Sequence, residues 1–144
     1  MREVAERIDA AWRSWLKALD RVDPARREED GVCGYWSVKD LVAHLALWDR
    51  VVTEHVQRWQ LGLVRYPYEV DVMNQANYLA THDRDYDLLR IEMHAAHELA
   101  RQAVAAVGRE PDADLLDRIA CETWDHYPEH TQQLVDWLEG INAR

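Results

Sequence analysis

Phenylalanine is absent from this chain, and no basic run is longer than Arg26-Arg27. With a formal net charge of −10, the sequence has nothing with which to displace phosphate counterions, so a nucleic-acid partner is not expected. No apolar stretch approaches the roughly 20 residues that cross a bilayer, and no membrane partner is expected either. The first residues, Met1 to Arg7, are amphipathic and charged and do not read as a signal peptide. There are only two cysteines, Cys33 and Cys121, far apart in unrelated contexts. They read as reduced thiols in a cytoplasmic protein.

What is present is the material of one domain. A chain of 144 residues, 48% apolar and 31% charged, can bury a core without staples, and a single domain over residues 1–144 is expected. Seven tryptophans supply most of its large aromatic surface. Each indole brings a donor that needs a partner, so these residues should either fill the core or line a cavity or an interface.

Val4, Ile8, Ala11, Trp12, Trp15, Leu16 and Leu19 recur every three or four residues, which predicts a first amphipathic helix ending near Asp23-Pro24. Residues 24–36 read as a loop. Ser37 then caps a second helix, with Asp40 three positions on to complete a capping box and an apolar stripe from Val38 to Trp59. The pattern breaks from Gly62 to His82, through Tyr66-Pro67-Tyr68 and a polar Asn74-Gln75-Ala76-Asn77. A connection of about twenty residues is longer than a helix–helix turn needs. It either spans the molecule or covers a site, with a short helix around 71–80. A third helix is predicted from Arg84 to Val107 and a fourth from Asp114, stopped by Gly140. Pro128 falls inside the fourth, which must bend there or restart with Pro128 in its first turn. The expected fold is all-α, a four-helix bundle with a long crossover between helices two and three.

Three histidines stand out on these helices. His126 and His130 lie one turn apart and project from one face, close enough to grip one ion. His44, on the shoulder of the second helix's stripe, would complete a three-nitrogen site with coordination positions left open, the hallmark of a reactive rather than a closed structural centre. His55 lies three turns further on, about 16 Å at the standard rise, and cannot share that ion. The alternative is three independently hydrogen-bonded core histidines. Imidazoles suit several metals, so the ligand set does not choose among them.

The strings Gly34-Tyr35-Trp36-Ser37-Val38-Lys39-Asp40-Leu41-Val42-Ala43-His44-Leu45 and Asp125-His126-Tyr127-Pro128-Glu129-His130, together with Asn74, resemble the DinB/YfiT-like superfamily of four-helix bundles. Within it, the chain is most similar to the N-terminal domain of mycothiol-dependent maleylpyruvate isomerase and to colibactin self-protection proteins. The resemblance implies a divalent ion, nickel or zinc, on His44, His126 and His130. It also implies a bacterial enzyme using a low-molecular-weight thiol, mycothiol or bacillithiol, for transfer or isomerisation, or else a hydrolase. The isomerase's second domain has no counterpart here, which leaves that enzyme's own substrate open.

Other residues divide between site and scaffold. His97 points inward on the third helix with His94 on its shoulder, each a fourth ligand, a proton shuttle or a core group. Glu129 sits between two ligands but faces away on the wheel, against a general-base role. Asn74 is a donor beside the site or a turn residue. Cys121 is a further ligand or a small buried thiol. Trp36 and Trp48 flank His44 and would wall a pocket. Two functions follow: a metal-dependent enzyme acting on a small electrophile, or a non-catalytic, ligand-binding or stress-associated dimer with a structural ion or none. A homodimer would pair through Trp12, Trp15 and Trp59.

Overall fold

The computed structural model describes residues 1–65 and 67–141; Tyr66, in the interrupted segment, and residues 142–144 lie outside them. The chain is all-helical. It runs through α1 (Arg2–Leu19), a 3-10 turn (Pro24–Arg26), α2 (Val38–Gln60), α3 (Val70–Thr81), α4 (Tyr86–Ala105), α5 (Ala113–Glu122) and α6 (His126–Leu138). Among the described residues the only extended pairing is an isolated bridge between Cys33 and Trp36, and no helix is long and apolar enough to cross a membrane.

α2 is the organising rod. Ser37 and Asp40 form the capping box reciprocally: the Asp40 backbone N–H donates to the Ser37 hydroxyl, and the Ser37 backbone N–H to the Asp40 carboxylate. From there Leu41, Val42, Leu45, Val52 and Val56 are buried without a break in the stripe. α2 packs against α4, α5 and α3, while α1 packs against α4 and α6. The core between them holds Ile8, Trp15, Leu89, Met93, Ile119, Tyr127 and Leu134. Trp12 and Trp15 belong to that core, at 7% and 0% exposure, which corrects their expected place on a pairing surface. The Trp15 indole N–H donates to the Met93 sulfur at 3.4 Å, so its one polar atom is satisfied inside. The exposed apolar side chains lie elsewhere, as Leu88, Ile91 and Leu99 on α4 and Val72 and Leu79 on α3.

The expected fourth helix is two helices. The chain leaves helical angles at Thr123 (φ −129°, ψ −95°), and α6 begins at His126. Pro128 is then the third residue of α6, where a missing N–H has no intrahelical acceptor to forgo. Of the two expected outcomes, the helix restarts. Gly140, at φ +72°, closes α6: the Ile141 N–H reaches back to the Asp136 carbonyl, a left-handed cap that favours glycine. α1 stops at Leu19, four residues before the expected end, and α4 starts two residues later than expected, with the Asp85 side chain capping Leu88 N–H.

The crossover borders the cavity at His44 through Tyr68, Val70 and Asn74. α3 is tied to α2 by the Trp48 indole N–H donating to Asn74 Oδ1 at 2.9 Å, and to the preceding loop by the Tyr35 hydroxyl donating to Gln75 Oε1 at 2.9 Å. At its far end, His82 Nδ1 meets Asp40 Oδ1 at 3.0 Å. Asn74 is thus a helical residue that ties α3 to α2, not a turn residue.

Candidate metal centre

His44, His126 and His130 meet. Nε2 of His126 lies 3.0 Å from Nε2 of His44 and 2.9 Å from Nε2 of His130. Donor atoms of the three rings fall within 4.8 Å of one another, and among the described residues no other group of three metal-ligating side chains does so. The local causes are plain. One turn of α6 places His126 above His130, and the turn at residues 123–125 aims that pair across at α2.

Hydrogen bonding alone leaves this cluster frustrated. A ring nitrogen that donates has no lone pair to accept with, so His126 Nε2 can serve one neighbouring ring well, not two. His130 shows which state the site is built for. Its Nδ1 lies 2.7 Å from Gln133 Oε1, an acceptor, so Nδ1 carries the proton and Nε2 turns a bare lone pair inward. The far nitrogens, Nδ1 of His44 and of His126, are buried without a hydrogen-bond partner. Two nitrogens each about 2.1 Å from a common ion sit roughly 3.0–3.4 Å apart, depending on the angle between the bonds. The two separations made by His126 match that range, and the His44 and His130 donors, within 4.8 Å, must close on a common point, so the donor set could hold a divalent cation.

The electrostatics agree. His44 is pushed down to about 2 by burial first, then by His130 and His126. His126 is pushed down to about 3 by burial and His130, against a weaker opposing pull from the Glu122 backbone. His130 is lowered by burial, opposed by Gln133 and Glu129. All three rings are neutral near pH 7, with lone pairs ready and no protons to expel.

A cavity of about 340 Å³ opens onto the cluster, lined by Trp48, Tyr68, Asn74, Arg118, Glu122 and Glu129 among others. Trp36 and Trp48 stand 4.8 and 6.5 Å from His44, ring centre to ring centre, and of the two expected apolar walls only Trp48 lines the cavity. Glu129 is exposed, as its outward wheel position implied, and it borders the cavity. One expectation is corrected here. Cys121 is exposed on the same lining and is not a buried thiol. Both cysteines are free, and Cys121 is not among the converging ligands.

His97 and His94 stand apart from the cluster. His97 stacks on Trp12 at 3.8 Å with its Nδ1 3.2 Å from the Tyr127 hydroxyl and 3.5 Å from Asp49 Oδ2, so it is a core polar group. His94 is exposed and meets Trp12 edge-on. Tyr127, next to His126, donates to Asp49 Oδ1 on α2 and so fixes the start of α6 against the helix that carries His44. His55 pairs with Glu122 at 3.5 Å and takes no part in the cluster, as its distance along α2 required.

Sequence reasoning missed Gln133, Asp49, Tyr127 and Arg118. Gln133 was open to discovery, lying one turn past His130 on the same face. Asp49, an acid inside an otherwise apolar run, was a weaker signal.

Compared with known proteins, the chain matches no family model, no curated protein and no solved structure.

Proposed function

We propose that the chain is a bacterial DinB-like four-helix bundle, with α5 and α6 together as its fourth member, that binds a divalent ion on His44, His126 and His130. With nickel or zinc in place, it would act on a small electrophile by thiol-dependent transfer or isomerisation, or by hydrolysis. The observation that supports this reading is the convergence of three neutral imidazole nitrogens, with His130 held in the ligating tautomer by Gln133. A divalent ion bound there supplies Lewis acidity that ionises a low-molecular-weight thiol or a water near neutral pH.

The chain's own residues do the rest. Trp48 lines the His44 side of the cavity and Trp36 packs on the His44 ring, which keeps that side apolar and strengthens charge interactions there. Asn74 ties α3 to Trp48, and Glu129 at the mouth is placed to exchange protons with solvent. Metal analysis of tag-free protein tests the reading. About one ion per chain is expected, lost in His126→Ala; an equal ion load in the variant dismisses the site. A thiol-consumption assay with halogenated and maleylpyruvate-like electrophiles then tests catalysis.

A second reading, non-catalytic binding by a dimer, draws on Leu88, Ile91 and Leu99, exposed on one face of α4. Sedimentation of Ile91→Glu against the native protein separates the two: a dimer that dissociates while bound ion and turnover persist leaves the enzyme reading intact.

A further inference from the structure

Beside the histidine cavity lies a second recess of about 130 Å³, lined by His55, Arg58, Trp59, Leu63, Arg65, Asp114, Leu115 and Arg118. Three arginines in one small recess are unexpected in a chain of net charge −10. Arg58 donates to the Val64 carbonyl at 2.6 Å, and Arg65 lies 3.8 Å from the exposed Asp114. Arg118 is different. It lines both the recess and the histidine cavity, is partly buried, and has no carboxylate within ion-pairing distance among the described residues.

The wall between the two spaces is also polar and incomplete. His55 and Glu122 are each 5% exposed, 3.5 Å apart, with both ring nitrogens of His55 and Oε2 of Glu122 buried and without a hydrogen-bond partner. Glu122 Oε1 is held by the Tyr68 hydroxyl at 3.0 Å. Polar groups this buried ordinarily find partners, and unfilled ones mark a place where a ligand or a water completes the network. The charges are sorted along the groove. Glu122 and Glu129 line the histidine cavity, Arg58 and Arg65 the recess, and Arg118 both.

We propose that the groove binds a small molecule with a carboxylate at one end, seated on Arg118, while its reactive end lies at the three histidines. An arginine fork suits a carboxylate because two parallel N–H groups match its two oxygens. The recess carries three arginines and one acid, Asp114, so its lining favours a negatively charged group. This assignment rests on the ion-binding reading for its reactive end and names the substrate class of that site.

The test uses cobalt(II)-loaded protein titrated with ω-mercaptocarboxylates from thioglycolate to 6-mercaptohexanoate, and with their methyl esters, reading the thiolate-to-cobalt absorption band. At one chain length the acid is expected to bind about tenfold more tightly than its ester, an advantage lost in Arg118→Gln and reduced in Arg118→Lys, which keeps the charge without the fork. Equal binding of acid and ester at every length, or an advantage that survives in Arg118→Gln, overturns the proposal. Absence of the band with any thiol would count against the ion site rather than the arginine. Calorimetry of metal-free protein with glutarate and its dimethyl ester then decides. Binding of glutarate alone, abolished in Arg118→Gln, supports the anion site, and no difference between the two compounds or the two proteins rejects it.

Discussion

Two clusters of buried polar side chains lie within a few residues of each other along α2, and they solve opposite problems. Around Asp49, the Tyr127 hydroxyl donates to the carboxylate and the His97 ring stands between phenol, acid and the face of Trp12. Donors there face acceptors. Around His44, three imidazoles turn like atoms towards one another, and the nearest nitrogens have only each other. The first cluster matches donors to acceptors and leaves only Asp49 Oδ2 without a hydrogen bond, 3.5 Å from His97 Nδ1, whereas the second offers ring nitrogens only to one another and could hold a cation. Histidine burial alone does not distinguish them, since His44, His97 and His130 are all 5% exposed. What sits opposite the ring does.

The difference can be broken most forcefully by removing one member from each. His126→Ala is expected to weaken ion binding at least about a hundredfold, measured by competition with a chelator, while the metal-free fold is retained. Asp49→Ala should do the reverse. It strands the Tyr127 hydroxyl in the core and should cost roughly 3 kcal/mol in denaturant unfolding, with about one ion per chain still bound. If the Asp49 variant lost the ion at unchanged stability, the division of labour between the clusters would be wrong.

Acidification should separate them by sign. The triad histidines titrate lower when folded than when unfolded, so their contribution is present above the unfolded value near 6.5 and is lost as pH falls towards their folded values, about 2 for His44 and about 3 for His126. Asp49 is raised by burial, with His97 and Tyr127 pulling it back. Its charge therefore costs stability progressively as pH rises from 3.8, the opposite trend. Unfolding of metal-free protein between pH 7 and 4 should show a slope that flattens by about 2 kcal/mol over the interval in His44→Ala and steepens in Asp49→Asn. Unchanged slopes in both would remove the electrostatic basis of the comparison. The smallest effect belongs to Gln133→Ala, which frees the His130 tautomer. Roughly tenfold weaker ion binding is expected, with stability nearly unchanged.

Much of this was legible in the sequence because it is local. The Ser37–Asp40 box, the i,i+4 spacing of His126 and His130, the Gly140 stop and the Pro128 restart each depend on a few neighbouring residues, and each stands in the structure. The break at residues 123–125 carries neither glycine nor proline of its own, and only Pro128 downstream signals it. Cys121, read as a ligand or a buried thiol, is exposed and lines the opening with Glu129. The Asp49–Tyr127–His97 cluster was out of reach for a different reason: its members come from three helices, and only tertiary register brings them together. Trp12 and Trp15 show the same limit, because an amphipathic stripe says that a face is covered and not what covers it.

Anomalous diffraction at the edge of the native metal, from crystals of tag-free protein, bears most directly on the centre. One peak within coordination distance of Nε2 of His44, His126 and His130 is the expected result. Density showing His126 Nε2 still about 3 Å from each of the other two Nε2 atoms at full metal supply, with no peak among the three rings, would contradict it.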